Sequence, residues 1–542
     1  MQRDLRGLAD DRFDVLVIGA GIYGALAAWD ATARGLRVAL IDRGDFGGGT
    51  SFNSLKTLHG GLRSLQALSL AQMRLFVRER RALARLAPHL VRPLPFCVPT
   101  YGWTTRSTAA LRVALAITDA VGRDRNDDVD EALRLPGGAV VSRDECLRLN
   151  PLIAADGVRG GAVWFDYQMR QAERVTLSAV LSAVAGGAAA ANYVEAVALA
   201  RRGAGLAAVT VEDRLSGSRF DIRAAAVLNA AGPWAGAVLA RLGGAPAEAP
   251  TARLSRAMNL VVDRVTATHA CGGVVDGRFL FIVPWRDVSI LGTSHDAHDG
   301  DADAPHGSAA HVEALLADGA RAFPGAGLTR ATVRLVHRGL LPMVHGDGAH
   351  VALLKESRVV DHAASGHRGL VSIFSVRYTT ARHTAREAVD AVARQAGRPL
   401  GPGLTAASRA VGADFASLSG LYGEARAADV PATDASLRER LAGTYGTGWR
   451  AVAALAAALP ALAAPLADDC AVTGAEVLHA VRDEAAITLA DVMLRRTEAG
   501  TAGRPSYAAL EAAAAIMASA LGWVPGRRRD EIAAVEAVYP AR

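Results

Sequence analysis

Cysteine is scarce and scattered in this chain of 542 residues. The four, Cys97, Cys146, Cys271 and Cys470, form no C-x-x-C pair. That spacing argues against a thiolate zinc site and a disulfide framework, and fits a reducing cytoplasm. No stretch reaches the roughly 18–20 apolar residues of a spanning helix. The nearest, AVAALAAALPALAAPLA at 451–467, is alanine-rich and broken by two prolines. It leaves open a short amphipathic contact with a membrane surface. The opening residues are charged and lack an apolar core, so no secretory signal is expected. No basic run is interleaved with aromatics, which argues against nucleic acid. The net charge of +6 is carried by arginines spread at helical spacing, as on a solvated surface, and is compatible with anionic ligands. No solenoid-type repeat is present. The length suffices for about two to four domains with a large core.

Against these absences stands one compact signal. FDVLVIG, 13–19, is a continuous apolar run of the kind a buried parallel strand needs. GAGIYG follows with Gly19, Gly21 and Gly24, then a helical stretch closing at Gly35, then LRVALID ending at Asp42. Each glycine has its own role. Gly19 permits the tight turn, Gly21 lets backbone approach a pyrophosphate, and Gly24 lets helix and strand pack closely. The helix N-terminus favours the phosphates, and Asp42 accepts from ribose hydroxyls. This order of elements predicts dinucleotide binding.

The next segment selects the dinucleotide. A nicotinamide domain would continue with alternating strands and helices. Here TSFNSLKTLHGGLRSLQ, 50–66, is rich in hydroxyls and glycine and carries two cations. Small residues of this kind let backbone track along a pyrophosphate, ribityl chain and ring edge, so the segment reads as an FAD clamp. Its expected flavin contacts are Thr50, Ser51, Lys56, Leu58, His59 and Gly60. Further on, FLFIVPW and VSILGTS flank Arg286 and Asp287 as a hairpin. The helix beginning near Thr379 can aim its N-terminus at a flavin ring. After GRPLGPG the chain turns alanine- and arginine-rich with helical period, which predicts an α-helical domain over 403–542.

The fingerprint and clamp together resemble the FAD-dependent glycerol-3-phosphate dehydrogenase family. So do GGAVWFDYQMRQAERVTL (160–177), NYVEAVAL (192–199), VLNAAGPWAG (227–236), HRGLLPM (337–343), SIFSVRYTTARHTAREAVD (372–390) and EVLHAVRDEAAITLADVMLRRT (476–497). The resemblance implies an α/β fold. A Rossmann-like FAD-binding domain over 1–402 is interleaved with a mixed β-sheet substrate domain, roughly 76–160 and 240–345, and followed by the helical domain. It also implies flavin contacts at Val194, Ala231, Gly232 and Thr379. The implied activity is oxidation of a CH–OH group by hydride transfer to flavin N5, with quinone or oxygen as electron acceptor. A cytoplasmic site at the inner face of a membrane, with peripheral contact, is the implied setting.

The substrate end departs from the family. Arg63 matches a substrate arginine, but Ser64 stands where tyrosine is usual. Leu341 occupies an active-site arginine position, with Arg338 three residues earlier. Arg377 replaces a lysine, Asn259 a histidine, and Lys355 another arginine. Arg63, Arg338, Lys355 and Arg377 are the expected anion holders, by the logic of charge-assisted contacts. The candidate proton acceptors are His59 and His337; His59 has backbone contact with the flavin as its alternative role. A diverged relative acting on another anionic hydroxylated or amine substrate, and a protein that keeps FAD without chemistry, stay open.

Overall fold

The computed structural model describes residues 1–61, 69–102, 108–202, 205–243, 253–304, 307–347 and 350–540. Strand Arg12–Ile18 lies inside an eight-stranded sheet, parallel to Val38–Ile41 on one side and Arg219–Asn229 on the other. Ala189–Ala191 and Leu370–Phe374 extend the parallel part. Arg358–Asp361 closes one edge antiparallel, and the hairpin Val194–Arg202/Gly205–Asp213 joins Arg219–Asn229. The period of two divides the first strand between two cores. Val15 and Val17 face the helices Ile22–Ala33, Ala172–Ala185 and Ala381–Gln395, whereas Leu16 and Ile18 face Leu8, Val238 and Leu239. Burial on both faces is why this run carries no polar alternation.

A second sheet of ten strands runs from Val333–Asp347 through Leu254–Asp263, Val288–His298, Arg278–Trp285 and Ala270–Val275 to Val91–Tyr101 and Val158–Met169. It is mixed: Ala270–Val275 pairs parallel to Val91–Tyr101, and its other ladders are antiparallel. The two-residue strand Thr57–Leu58 of the clamp docks on its far edge against Tyr167 and Gln168. The expected hairpin is present, with Arg286 at φ 54° in its turn.

The C-terminal part is helical: Leu418–Ala427, Ala435–Tyr445, Trp449–Ala458, Gly474–Asp483, Tyr507–Leu521 and Pro525–Glu536, with one small two-stranded ribbon. The first half of the stretch held open for a membrane contact lies in helix Trp449–Ala458, the rest in a short turn and a strand of the ribbon, and Val452, Ala453 and Ala456 pack into the domain's own core. No helix among the described residues is long and apolar enough to cross a membrane.

Candidate active site

The fingerprint turn is built as its glycines require. Gly19 has φ +98°, and a Cβ there would stand 2.7 Å from the carbonyl oxygen of Ala230. A Cβ on Gly24 would stand 1.8 Å from the carbonyl oxygen of Gly19, so helix and strand touch backbone to backbone. Gly21 caps helix Ile22–Ala33 without a side-chain acceptor, and the Ile22 N–H donates to Ser51 Oγ at 2.9 Å. Asp42 accepts from the N–H groups of Ala20 (2.7 Å) and Gly44 (2.9 Å). Burial pushes its carboxyl up to about 6 despite those two donors.

These groups open on a cavity of about 990 Å³ between the two sheets. Gly19, Gly21 and Asp42 line it from the fingerprint. Thr50, Ser51, Lys56 and His59 line it from the clamp, and Val194, Ala231 and Gly232 from the opposite edge. A helix N-terminus without a side-chain cap, a turn closed to any Cβ and a carboxylate at the tip of the second strand are what a pyrophosphate and ribose require. The residues present therefore fit FAD.

Other expected contacts serve the cavity from behind. Leu58 is a core residue of the short clamp strand. A Cβ on Gly60 would meet Arg80 Nη1 at 2.3 Å and Asp166 Oδ1 at 2.8 Å, so glycine is needed for that approach. Thr379 is buried, and its hydroxyl accepts from the His59 N–H at 3.1 Å, tying the clamp to the start of helix Ala381–Gln395. Lys56 is fully buried, and its ammonium donates to the Phe52 carbonyl (2.7 Å) and Glu173 Oε2 (3.1 Å). Its charge is thus neutralised beneath the loop.

At the substrate end, Lys355, Arg377, Leu341 and Asn259 all line the cavity. Tyr23 fixes the backbone of Arg377, its hydroxyl donating to the carbonyl at 2.6 Å and accepting from the N–H at 3.1 Å. The Arg377 guanidinium lies 5.2 Å from the Phe76 ring centroid. Asn259 Oδ1 accepts from Thr293 Oγ1 at 2.7 Å. Arg63 and Ser64 lie outside the described residues.

Two residues expected at the substrate end, Arg338 and His337, are not at the cavity, and strand geometry explains both. Arg338 is paired with Met258, one residue out of step with Asn259, so it projects from the opposite face of the sheet, against Gly307. His337 shares the face of Asn259 but is covered by the clamp. It is fully buried between Phe52 and Trp285, with Nδ1 3.2 Å from the Ser54 carbonyl oxygen. Burial and the nearby Lys56 charge push its pKa well below the usual value, so it stays neutral and enclosed.

His59 meets the cavity with a buried carboxylate behind it. Its side chain is 49% exposed, and Nδ1 stands 3.4 Å from Oδ2 of Asp166. Asp166 is buried; its other oxygen accepts from the Gly60 N–H at 2.7 Å and from Arg80. Burial pushes the Asp166 carboxyl up, but His59 and the Arg80 guanidinium outweigh it and hold it below the usual range. Sequence reasoning missed Asp166. The signal was present: one carboxylate inside the apolar strand Val158–Met169, where an unpaired charge would be costly. It also missed His295, which lines the cavity beside Asn259 and Thr293, and Arg495 of the helical domain.

Comparison with known proteins agrees with this geometry. Residues 14–382 match the family of FAD dependent oxidoreductases, and 404–528 match the C-terminal domain of alpha-glycerophosphate oxidase. A glycerol-3-phosphate dehydrogenase of Synechocystis sp. is 31% identical over 513 residues, 91% of this chain and 90% of that protein. One from Mycobacterium leprae is 31% identical over 98% of this chain and 88% of its own. The crystal structure of the glycerol-3-phosphate dehydrogenase from Bacillus halodurans complexed with FAD superposes with a TM-score of 0.75 at 25% identity, covering 98% of this chain and 95% of that one. With the dinucleotide turn, the two-sheet cavity and the helical C-terminal domain all accounted for, the chain belongs to the FAD-dependent oxidoreductases of the glycerol-3-phosphate dehydrogenase type.

Proposed function

We propose that this enzyme oxidises the secondary hydroxyl of a small anionic polyol to a ketone, with sn-glycerol 3-phosphate as the first candidate substrate. The observation that carries the reading is the His59–Asp166 pair at the cavity wall. An ionised carboxylate only accepts, so Asp166 calls for a proton on Nδ1 of His59 and leaves Nε2 as the acceptor. His59 then removes the substrate hydroxyl proton, while Lys355 and Arg377 hold the anionic end. FAD, when bound, supplies the two-electron acceptor.

Leu341 on the same wall supports a second reading, in which the substrate is another anionic hydroxylated compound or an amine. An apolar side chain there withholds a cation from a phosphate. Anaerobic titration of the FAD-loaded enzyme decides between them. Loss of the oxidised flavin absorbance on adding sn-glycerol 3-phosphate supports the first reading. Bleaching by other hydroxy acids, polyol phosphates or amines alone supports the second.

The proposed electron acceptor is a quinone at the inner face of a membrane, with oxygen as the alternative. Helix Thr108–Val121 exposes Val113 (61%) and Ile117 (38%) beside Arg112, a surface suited to peripheral contact with anionic lipid. Reoxidation by a soluble quinone analogue faster than by air, and sedimentation with anionic vesicles, are the expected results. Rapid air reoxidation without vesicle binding would favour oxygen.

A further inference from the structure

The helical C-terminal domain reaches into the cofactor site through one carboxylate. Asp45 lies on the glycine-rich loop after strand Val38–Ile41 and is 5% exposed. Its Oδ1 accepts from Asn192 Nδ2 (3.0 Å) and Arg496 Nη2 (2.7 Å). Its Oδ2 accepts from Arg496 Nη1 (2.8 Å) and Arg495 Nε (2.5 Å). Two consecutive residues on a regular α-helix diverge by about 100° and do not share one small target easily. Here Val492–Arg496 is a π-helical turn, and both arginines converge on Asp45.

The partners of this cluster belong to the cavity wall. Arg495 itself lines the cavity and also donates to Asp491 (2.6 Å), which accepts from the Tyr193 hydroxyl (2.6 Å). Tyr193 lines the cavity too, and its N–H donates to the Gly44 carbonyl at 2.9 Å. Asn192 is held in turn by the Ala485 carbonyl at 3.0 Å. Both segments that flank Asp42, the 43–49 loop and residues 192–194, are therefore anchored to residues 485–496. The carboxylate–guanidinium anchors are buried, so the loop cannot move away from the cavity without separating ion pairs.

We propose that the Arg495–Arg496 turn is a clasp for FAD: it holds the 43–49 loop and Tyr193 closed on the bound dinucleotide and sets how slowly the cofactor leaves. Arg495 and Arg496 are positioning residues acting through Asp45. The proposal rests on cofactor binding alone and is independent of which substrate the enzyme takes.

The test is the rate at which the diluted FAD-loaded protein releases flavin, followed by recovery of free-flavin fluorescence. Arg496→Lys keeps the charge but removes the two-pronged contact; Asp45→Asn keeps the shape but removes the charge. Each is expected to speed release by about 10- to 100-fold, the effect of losing a charge-assisted contact. Arg440→Gln serves as control, because it breaks the Arg440–Glu476 pair inside the helical domain without touching the loop. It is expected to lower the melting temperature and leave FAD release unchanged. If Arg496→Lys does not fold, Asp45→Asn and Arg495→Lys decide in its place. Folded variants that release FAD at the wild-type rate would overturn the proposal, and so would equal acceleration by Arg440→Gln.

Discussion

The carboxylate of Asp166 is held at both oxygens: His59 Nδ1 lies 3.4 Å from Oδ2, while the Arg80 guanidinium and the Gly60 N–H meet Oδ1. Asp166→Asn removes the charge and keeps the shape. It leaves Arg80 buried without a counter-charge, which costs about 3–5 kcal/mol. Asp166 is held below its ordinary 3.8, so its stabilisation is present above that pH and is lost as pH falls through the folded-state value. The expected result in thermal melts is a large gap between variant and wild type at pH 7 that narrows in strong acid. A gap independent of pH would contradict the ionic role.

Asp42 has the opposite sign. Burial raises its carboxyl from 3.8 to about 6. In the FAD-free protein the folded state keeps a proton that the unfolded chain has already lost, so this residue's contribution to stability falls as pH rises from 3.8 to about 6. For the cofactor the ionised form is the better acceptor. FAD affinity is therefore expected to weaken as pH drops below about 6, and Asp42→Asn is expected to flatten that dependence. Fluorescence titration of apoprotein between pH 5 and 8 measures both.

Gly24→Ala places a methyl 1.8 Å from the Gly19 carbonyl oxygen. Backbone cannot yield there as a flexible side chain would, so helix and strand must separate, at about 1–3 kcal/mol. The expected outcome is a lower melting temperature together with FAD-poor protein, read from the ratio of flavin to protein absorbance. Full flavin content would show that the helix is not packed as described.

How much of this was legible beforehand follows from distance along the chain. Gly19, Gly21, Gly24 and Asp42 could be read because turn, helix and acid fall within one βαβ unit and each has a local steric or electrostatic reason. Arg338 could not be placed, because its face is set by pairing with Met258, a partner remote in sequence, and a single step of register reverses a strand's side chains. His337 was misjudged for a related reason: the clamp residue Phe52 folds over it, and no periodicity announces that cover. The convergence of Asp45 with Arg495 and Arg496 depends on a π turn, which has no clear sequence signature. The helical domain was visible from composition, but its hold on the cofactor loop was not.

Leu341→Arg restores a cation on the cavity wall. If a phosphate or carboxylate sits near it, KM for sn-glycerol 3-phosphate should fall by about tenfold or more, the value of one charge-assisted contact. Arg377→Met should raise KM by a similar factor with FAD content unchanged. Steady-state kinetics with a dye acceptor checks both, and unaltered KM in the two variants would remove the anion from this end of the cavity.

The central claim, that His59 takes the hydroxyl proton, is tested most directly by the rate of anaerobic flavin reduction on rapid mixing with sn-glycerol 3-phosphate. Wild type and His59→Asn are compared at matched FAD content. The account predicts bleaching in wild type and a rate slower by about 10²–10⁴ in the variant, the contribution of a positioned base. Equal rates in the two proteins would contradict it.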